Sequence, residues 1–353
     1  MSQRSAVPLI VTTDQDLLAD LVRLTAAAGV RPDVAADATA ALRSWAAAGT
    51  VIVGADRAAE LARAEMPRRS GVHVVTAREP DDRLFRDALG CGAESVAVLP
   101  AAQSLLVDLL ADAGDGGGAD GIVVGVVGGA GGVGATVFAA ALARFAADRL
   151  PTLLVDVDAG GAGIDRVLGT ESVAGARWDG LLLASGRLSA RSLRETLPAR
   201  NGLAVLTWSA GRAELPGTAA VREALSAGRR GHHLVVVDLA RHGDPASQEA
   251  LARCDQLLLV STTTLPALSA ATQVARRLPT GRTSVVLRGR GTTVAGPEVE
   301  RLLGCPVLVG MPDQRGLDES ISLGTGPLRS RRGPLARAAG AVLAAVLDRG
   351  RVS

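Results

Sequence analysis

The chain contains no lysine and no tyrosine, so all 38 of its basic side chains are arginine. The missing lysine excludes Schiff-base chemistry, a lysine general base and a phosphate-binding lysine in a glycine loop. Any phosphate chemistry must therefore run on backbone amides, hydroxyls, arginine or metal. Aromatic residues are only 2% of the chain, beside heavy Ala, Arg, Gly and Val usage. That balance points to a GC-rich coding bias as the general cause of the gap. Cysteine is scarce too. Cys91, Cys254 and Cys305 are far apart, odd in number and form no CxxC pair, which argues against a disulfide framework or zinc ribbon and fits a reducing cytoplasm. No long apolar run precedes the acidic residues of the amino-terminal MSQRSAVPLIVTTDQD, so no signal peptide is expected. Residues 121–143 carry no charge and are long enough to span a bilayer. Their first half is crowded with glycine, which favours a strand, a glycine loop and a helix start instead.

What is present describes a soluble α/β protein. A length of 353 residues predicts two or three domains, and 48% hydrophobic with 21% charged residues is a globular balance. The net charge of +2 gives no global pull toward nucleic acid. In the first block, β-type apolar runs occur at 8–12, 50–53, 72–76 and 95–98, with a weaker one at 31–36. Ala/Leu-rich stretches such as 17–28 and 38–48 lie between them with helical spacing. Strands alternating with helices predict a parallel sheet covered on both faces. Residues 113–120, AGDGGGAD, pack nothing and read as a linker. The expected organisation is a domain at 1–112, a glycine-rich linker at 113–120 and a second domain at 121–353. In that second domain strands are expected at 122–127, 152–157, 203–207, 234–237, 256–260, 284–287 and 307–309, with a closing helix near 334–347. This is a doubly wound pattern, whose ligands belong at the carboxyl ends of the strands.

The chemistry concentrates in one loop. Strand residues Gly125-Val126-Val127 lead into Gly128-Gly129-Ala130-Gly131-Gly132-Val133-Gly134-Ala135-Thr136 and then an Ala-rich helix. Such a loop lets successive N–H groups turn inward around a phosphate chain, and the helix start adds a favourable dipole. The alternative is a tight strand–helix turn without a ligand. The segment resembles the deviant Walker A motif of the MinD/ParA ATPases, and more closely the CpaE branch, where GGVG[AT]T replaces GGVGKT. Ala135 stands where that family has its loop lysine, and Ala130 where it has the upstream lysine that reaches across a dimer interface. One lost hydrogen bond to a charged group weakens phosphate binding by about 10- to 100-fold. A lost donor to transition-state charge costs about 10²–10³ in rate. Arg144 cannot replace it in the same subunit, because nine residues along a helix place it roughly 13 Å away. A partner subunit's arginine is left open.

The resemblance continues downstream. Asp156-Val157-Asp158, then Gly160, Asp165, Leu168 and Gly169, match the family pattern D-x-D-x-G…D-x-x-L-G. It implies that Asp156 helps hold Mg²⁺ and that Asp158 positions an attacking water; without it, the two aspartates read equally well as helix caps. Leu234-Val235-Val236-Val237-Asp238 resembles a Walker B strand, which implies Mg²⁺ held by Thr136, Asp156 and Asp238. The implied nucleotide contacts are Gly129, Gly131, Gly132, Val133, Gly134, Ala135 and Thr136, with Arg288, Pro312 and Asp313 toward the base. Leu287 occupies the place of the family's adenine-reading asparagine. The implied fold is an α/β P-loop (MinD-like) domain, and the implied cofactors are ATP and Mg²⁺.

The first block resembles the flavodoxin-like receiver domains of two-component systems, as CpaE proteins do at their amino terminus. Thr12-Thr13-Asp14 lies where receivers carry an acidic pair, Leu99-Pro100 where they have Lys-Pro, and Gly54 or Ala55 fits the phosphoacceptor position better than Asp56. The expectation is a degenerate receiver used for docking. The arginines at 329, 331, 332 and 337 read as a solvated face, the final helix as core, and His232 and His233 as surface residues. The resemblance implies a regulator of septum placement or of Tad/Flp-type pilus or secretion assembly. It would be cytoplasmic, recruited to the inner face of the membrane or the septum by partner proteins, with a homodimer open and membrane contact at most peripheral. Three classes stay open: a weak or partner-dependent ATPase switch, a pseudo-ATPase scaffold, and a ParA-like DNA-binding partition protein, the last disfavoured by the charge balance.

Overall fold

A computed structural model describes residues 7–114, 121–182, 188–209, 216–289 and 296–350. The chain divides into two compact units between Ala119 and Asp120, with Arg187–Ser192 grouped with the first. The linker expected at 113–120 lies mostly outside the described residues, and the last helix of the first unit runs to Gly114, two positions into it.

The first unit alternates β1 (Leu9–Val11), α1 (Gln15–Ala27), β2 (Asp33–Ala35), α2 (Ala38–Trp45), β3 (Val51–Gly54), α3 (Ala55–Arg63), β4 (Val72–Thr76), α4 (Asp82–Gly90), β5 (Ser95–Val98) and α5 (Gln103–Gly114). The sheet order is β2-β1-β3-β4-β5 and every pairing is parallel, which is the flavodoxin-like order expected of a receiver. Aspartates start three of the helices. Asp14 accepts from the N–H of Asp16 and Leu17, Asp37 from Ala40 and Asp81 from Leu84, satisfying donors that have no partner inside the helix. β3 and β4 are buried along their whole length, so both faces of the sheet are covered. One core contains Trp45, Val53 and Leu61, the other Ile10, Leu21 and Leu106.

From Ile122 the chain runs β6 (Ile122–Gly128), α6 (Ala135–Ala147), β7 (Thr152–Asp156), α7 (Ile164–Leu168), α8 (Trp178–Leu182), α9 (Ala190–Thr196, of which Leu193–Thr196 belong to the second unit), β8 (Ala199–Arg200), β9 (Leu203–Leu206) and α10 (Thr218–Gly231). It continues β10 (Leu234–Leu239), α11 (Pro245–Ala252), β11 (Gln256–Thr262), α12 (Leu265–Ala275), β12 (Thr283–Arg288), α13 (Gly296–Leu303), β13 (Val307–Met311), α14 (Leu317–Ser322) and α15 (Pro334–Gly350). The order is β13-β12-β11-β6-β10-β7-β9-β8, parallel except for the short β8–β9 pair. β6 therefore sits in the middle with its glycine loop at the carboxyl end, and the order reverses around it. α6 is apolar on nearly every side, with Phe138 through Ala143 buried, and belongs to one core with Leu335, Ala339, Val342 and Leu343 of α15. The closing helix is thus core. The two helices approach closely at Gly340, where an added Cβ would lie 3.0 Å from the Phe145 ring. Burying a side chain the size of Phe138 contributes about 1.5–3 kcal/mol, so this helix anchors the loop that precedes it. No described helix is long and apolar enough to cross a membrane.

Candidate functional site

The cavity at the carboxyl ends of β6, β10 and β12 has a volume of about 580 Å³. Its floor is the loop from Gly128 to Thr136, except Gly129. Gly132 and Gly134 have positive φ, +73° and +91°, and the helix start at Gly134 has no side-chain cap. A Cβ added at Gly131 or Gly132 would meet open space, so these two backbones border room. Uncapped N–H groups at a helix start attract an anion. Gly129 departs from expectation. It is buried, its N–H donates to Val260 O at 2.8 Å, and a Cβ there would come within 2.6 Å of Ala271. It serves packing and has no N–H left for phosphate.

Carboxylates line the other wall. Asp238 and Asp156 are direct neighbours across β10 and β7. Burial, with the charges of Asp156 and Asp158 added, raises the Asp238 carboxyl well above its usual range against the lowering influence of the nearby Thr136 hydroxyl. Asp158 also lines the cavity, its Oδ1 accepting from Gly160 N at 3.1 Å. Asp156 does not line it, which corrects the expectation of a metal ligand. Its carboxylate is 2% exposed and accepts from Thr207 Oγ1 at 2.8 Å, Ile164 N at 3.1 Å and Asp158 N at 3.1 Å. Burial still pushes it up to about 6 against those bonds. Its own backbone carbonyl takes the indole N–H of buried Trp178 at 2.7 Å. Asp156 therefore shapes the loop that presents Asp158. Asp165 is likewise structural, paired with Arg177 at 3.3 Å.

At the third wall, Arg288 ends β12. Its Nε bonds Asp313 Oδ1 at 2.7 Å and its Nη1 reaches Val133 O at 3.3 Å. Pro312 lines the cavity while Asp313 stands outside it, holding the arginine. Leu287 points into the core at 6% exposure. Sequence reading missed Arg241, His242, Gln314 and Asp318, which also line the cavity. Arg241 lies three residues past Asp238, a position that the strand-end rule for ligand sites flags.

The residues fit a nucleotide with Mg²⁺ in part. An open N–H-rich loop, a hydroxyl beside a carboxylate and the apolar flank of Met311, Pro312 and Leu317 suit phosphates, a hard cation and a base. Among the described residues no group of three His, Cys, Asp or Glu side chains is placed to hold a metal. Mg²⁺ at Thr136 and Asp238 would need phosphate and water oxygens as well.

The matching corner of the first unit is filled by its own side chains. Asp56, in the first turn of α3, accepts from Thr12 Oγ1 at 2.7 Å, Thr13 N at 2.8 Å and Thr13 Oγ1 at 3.0 Å. Arg57 pairs with the same carboxylate. Burial raises the Asp56 carboxyl, but these bonds and Arg57 bring it below its usual value. Leu99 is buried in the core. The expectation for His232 is overturned as well. It is buried, Nδ1 lies 3.1 Å from Gly228 O, and burial lowers it to about 4. It caps α10 where the chain turns into the sheet. Of the arginine cluster, Arg329 and Arg331 pair with Glu319 and Asp148.

Fold and cavity together define a parallel-sheet P-loop protein of MinD/ParA-like architecture, preceded by a receiver-like domain. Residues 11–121 match the model of the Rv3660c-like, CheY-like N-terminal domain. The Mycobacterium tuberculosis protein Rv3660c is 37% identical over 338 residues, 94% of this chain and 95% of that protein. The chain belongs to this Rv3660c-like family. Among solved structures, a ParA family ATPase from Chlorobium tepidum aligns at TM-score 0.56 and 20% identity, over 64% of this chain and 98% of its own. The septum site-determining protein MinD of Pyrococcus horikoshii, solved with Mg-ADP, aligns at 0.52 and 17%, over 64% and 95%.

Proposed function

We propose that the second unit binds Mg-ATP weakly through a lysine-less P-loop and acts as a MinD/CpaE-like spatial regulator of septum placement or of pilus and secretion assembly. In this reading Gly131 through Thr136 hold phosphates, Thr136 and Asp238 serve the Mg²⁺ shell and Asp158 orients water. The first unit is a docking module for the partner machinery, and the protein is cytoplasmic and recruited to the membrane or septum by that partner. The observation that carries the reading is the open cavity at the glycine loop facing Thr136, Asp158 and Asp238. The MinD relative solved with Mg-ADP supports the ligand class.

A pseudo-ATPase scaffold is the second reading, favoured by Ala130 and Ala135 in the lysine positions and by the engagement of Asp156 with Thr207 and Ile164. The partition-protein reading is weaker, since Arg329 and Arg331 are neutralised by ion pairs within the chain. Calorimetric titration of the full chain with Mg-ATP separates the first two. Weak binding is expected, strengthened about 10- to 100-fold by Ala135→Lys. No heat at millimolar nucleotide in either protein would remove the ATP reading and leave the scaffold. Steeply salt-dependent binding to random duplex DNA would favour partition instead.

A further inference from the structure

We infer that Arg288 is the cation that replaces the missing loop lysine, reaching the phosphate chain at the loop from the end of β12, with Asp313 as the residue that aims it. The inference rests on the nucleotide reading above and deepens it. The two family lysine positions, Ala130 and Ala135, carry only methyl groups. Arg144, the first arginine of α6, is tied to Asp148 at 2.8 Å. Arg288 comes from far along the chain, yet its guanidinium lies on the loop itself. Nη1 is 3.3 Å from Val133 O and 3.0 Å from the point where a Cβ on Gly134 would stand. The glycine, already required by a φ of +91°, thus also leaves the slot that the guanidinium fills. Asp313 grips Nε at 2.7 Å, so the planar head is oriented while most of its N–H donors remain available. Arginine stays charged in any such setting and matches phosphate oxygens two at a time. A lysine on the loop approaches along α6; this arginine approaches from β12, at the next strand but one.

The test is binding of Mg-ATP, Mg-ADP and AMP to the full chain by calorimetry, with melting curves to show that each variant folds. Arg288→Ala is expected to weaken Mg-ATP about 10- to 100-fold while AMP changes little, so the preference for a longer phosphate chain collapses. Arg288→Lys keeps part of that preference. Asp313→Asn weakens Mg-ATP less than Arg288→Ala, and Asp313→Glu restores it. Adding Ala135→Lys to Arg288→Ala recovers the affinity, because a cation returns to the phosphates by the other route. Unchanged Mg-ATP binding in Arg288→Ala overturns the inference, as does tighter binding, which would make the guanidinium a plug. The same loss seen in Arg241→Ala with Arg288→Ala unaffected moves the role to Arg241 and also overturns it. Absence of heat from the wild type overturns the nucleotide reading itself, an outcome visible before any variant is made.

Discussion

The two units place an aspartate corner at the carboxyl ends of a parallel sheet, and they resolve it in opposite ways. In the first, Asp56 is covered by Thr12, Thr13 and Arg57, and its carboxyl is held below the usual range. In the second, Asp238 and Asp156 lie side by side with no ion pair to either among the described residues, and both are raised. A carboxylate with hydrogen-bond donors and an arginine is a finished structural bond. Asp156 is bonded by its own chain, but Asp238 faces the cavity, and its charge is stabilised when a cation arrives. The lesson is that both corners are built without lysine, but only the first is closed by hydrogen bonds and an ion pair from its own chain.

Four measurements would break or sharpen that contrast. The largest effect is expected from Trp178→Ala, which deletes a buried side chain and its bond to the Asp156 carbonyl. It should cost the second unit about 3–5 kcal/mol by urea denaturation and leave the first unit's transition in place. An equal shift of both transitions would mean that the two corners are not independent.

Next comes pH. For Asp156 the folded value, about 6, is above the unfolded one, 3.8. The protonated folded form is favoured, so stability falls as pH rises from about 4 to about 6, by on the order of 3 kcal/mol. Asp156→Asn should flatten that slope in the second unit's transition. Asp56 has the reverse sign, because its folded value is lowered. Its contribution is present above pH 4 and is lost as pH falls through the folded value. A first unit that gains stability on acidification would contradict the closed-corner account.

Smaller still, Asp56→Ala leaves Thr12 Oγ1 and Thr13 N–H without their acceptor and should cost about 1–2 kcal/mol. Were Asp56 a working phosphoacceptor, acetyl phosphate would phosphorylate the wild type in a mass spectrum and the variant not at all. No phosphorylation of either is expected. The smallest effect belongs to Asp14→Ala, the cap of α1 beside that corner, at about 1 kcal/mol. A loss several times larger would show that the corner depends on the Thr13-Asp14 turn more than on Asp56 itself.

Much of the molecule was legible in the chain because its cues are local. Alternating apolar runs and helical spacing indicated both parallel sheets, and capping aspartates such as Asp81 and Asp244 stand just ahead of the helices they start. The glycine loop was recognisable as strand, loop and buried helix. The weak run at 31–36 is strand only over Asp33–Ala35, since an edge strand has a partner on one side alone. What failed were roles set by distant partners. Asp156 resembled a metal ligand until Thr207, 51 residues on, was seen to bond it. Gly129 resembled a phosphate donor until β11 took its N–H. Asp56 stands past the end of β3, and only its bond with Thr12, 44 residues earlier, makes it the corner residue.

The sequence alone determined that no lysine can act anywhere in this protein, and that a glycine loop without its lysine lies between a buried strand and a buried helix. These are statements about which atoms exist and how near neighbours must fold. Only the tertiary structure decided which charges share a cavity. It set Arg288 against Val133, 155 residues away, and it buried Asp156 at the end of β7 while placing Asp158, two residues on, in the cavity lining. Sheet order does this: β12 and β6 are separated by β11 alone, so residues remote in the chain meet at one end of the sheet. Hydrogen bonds and charges act over a few ångströms of space, and the chain by itself specifies that proximity only once it has folded.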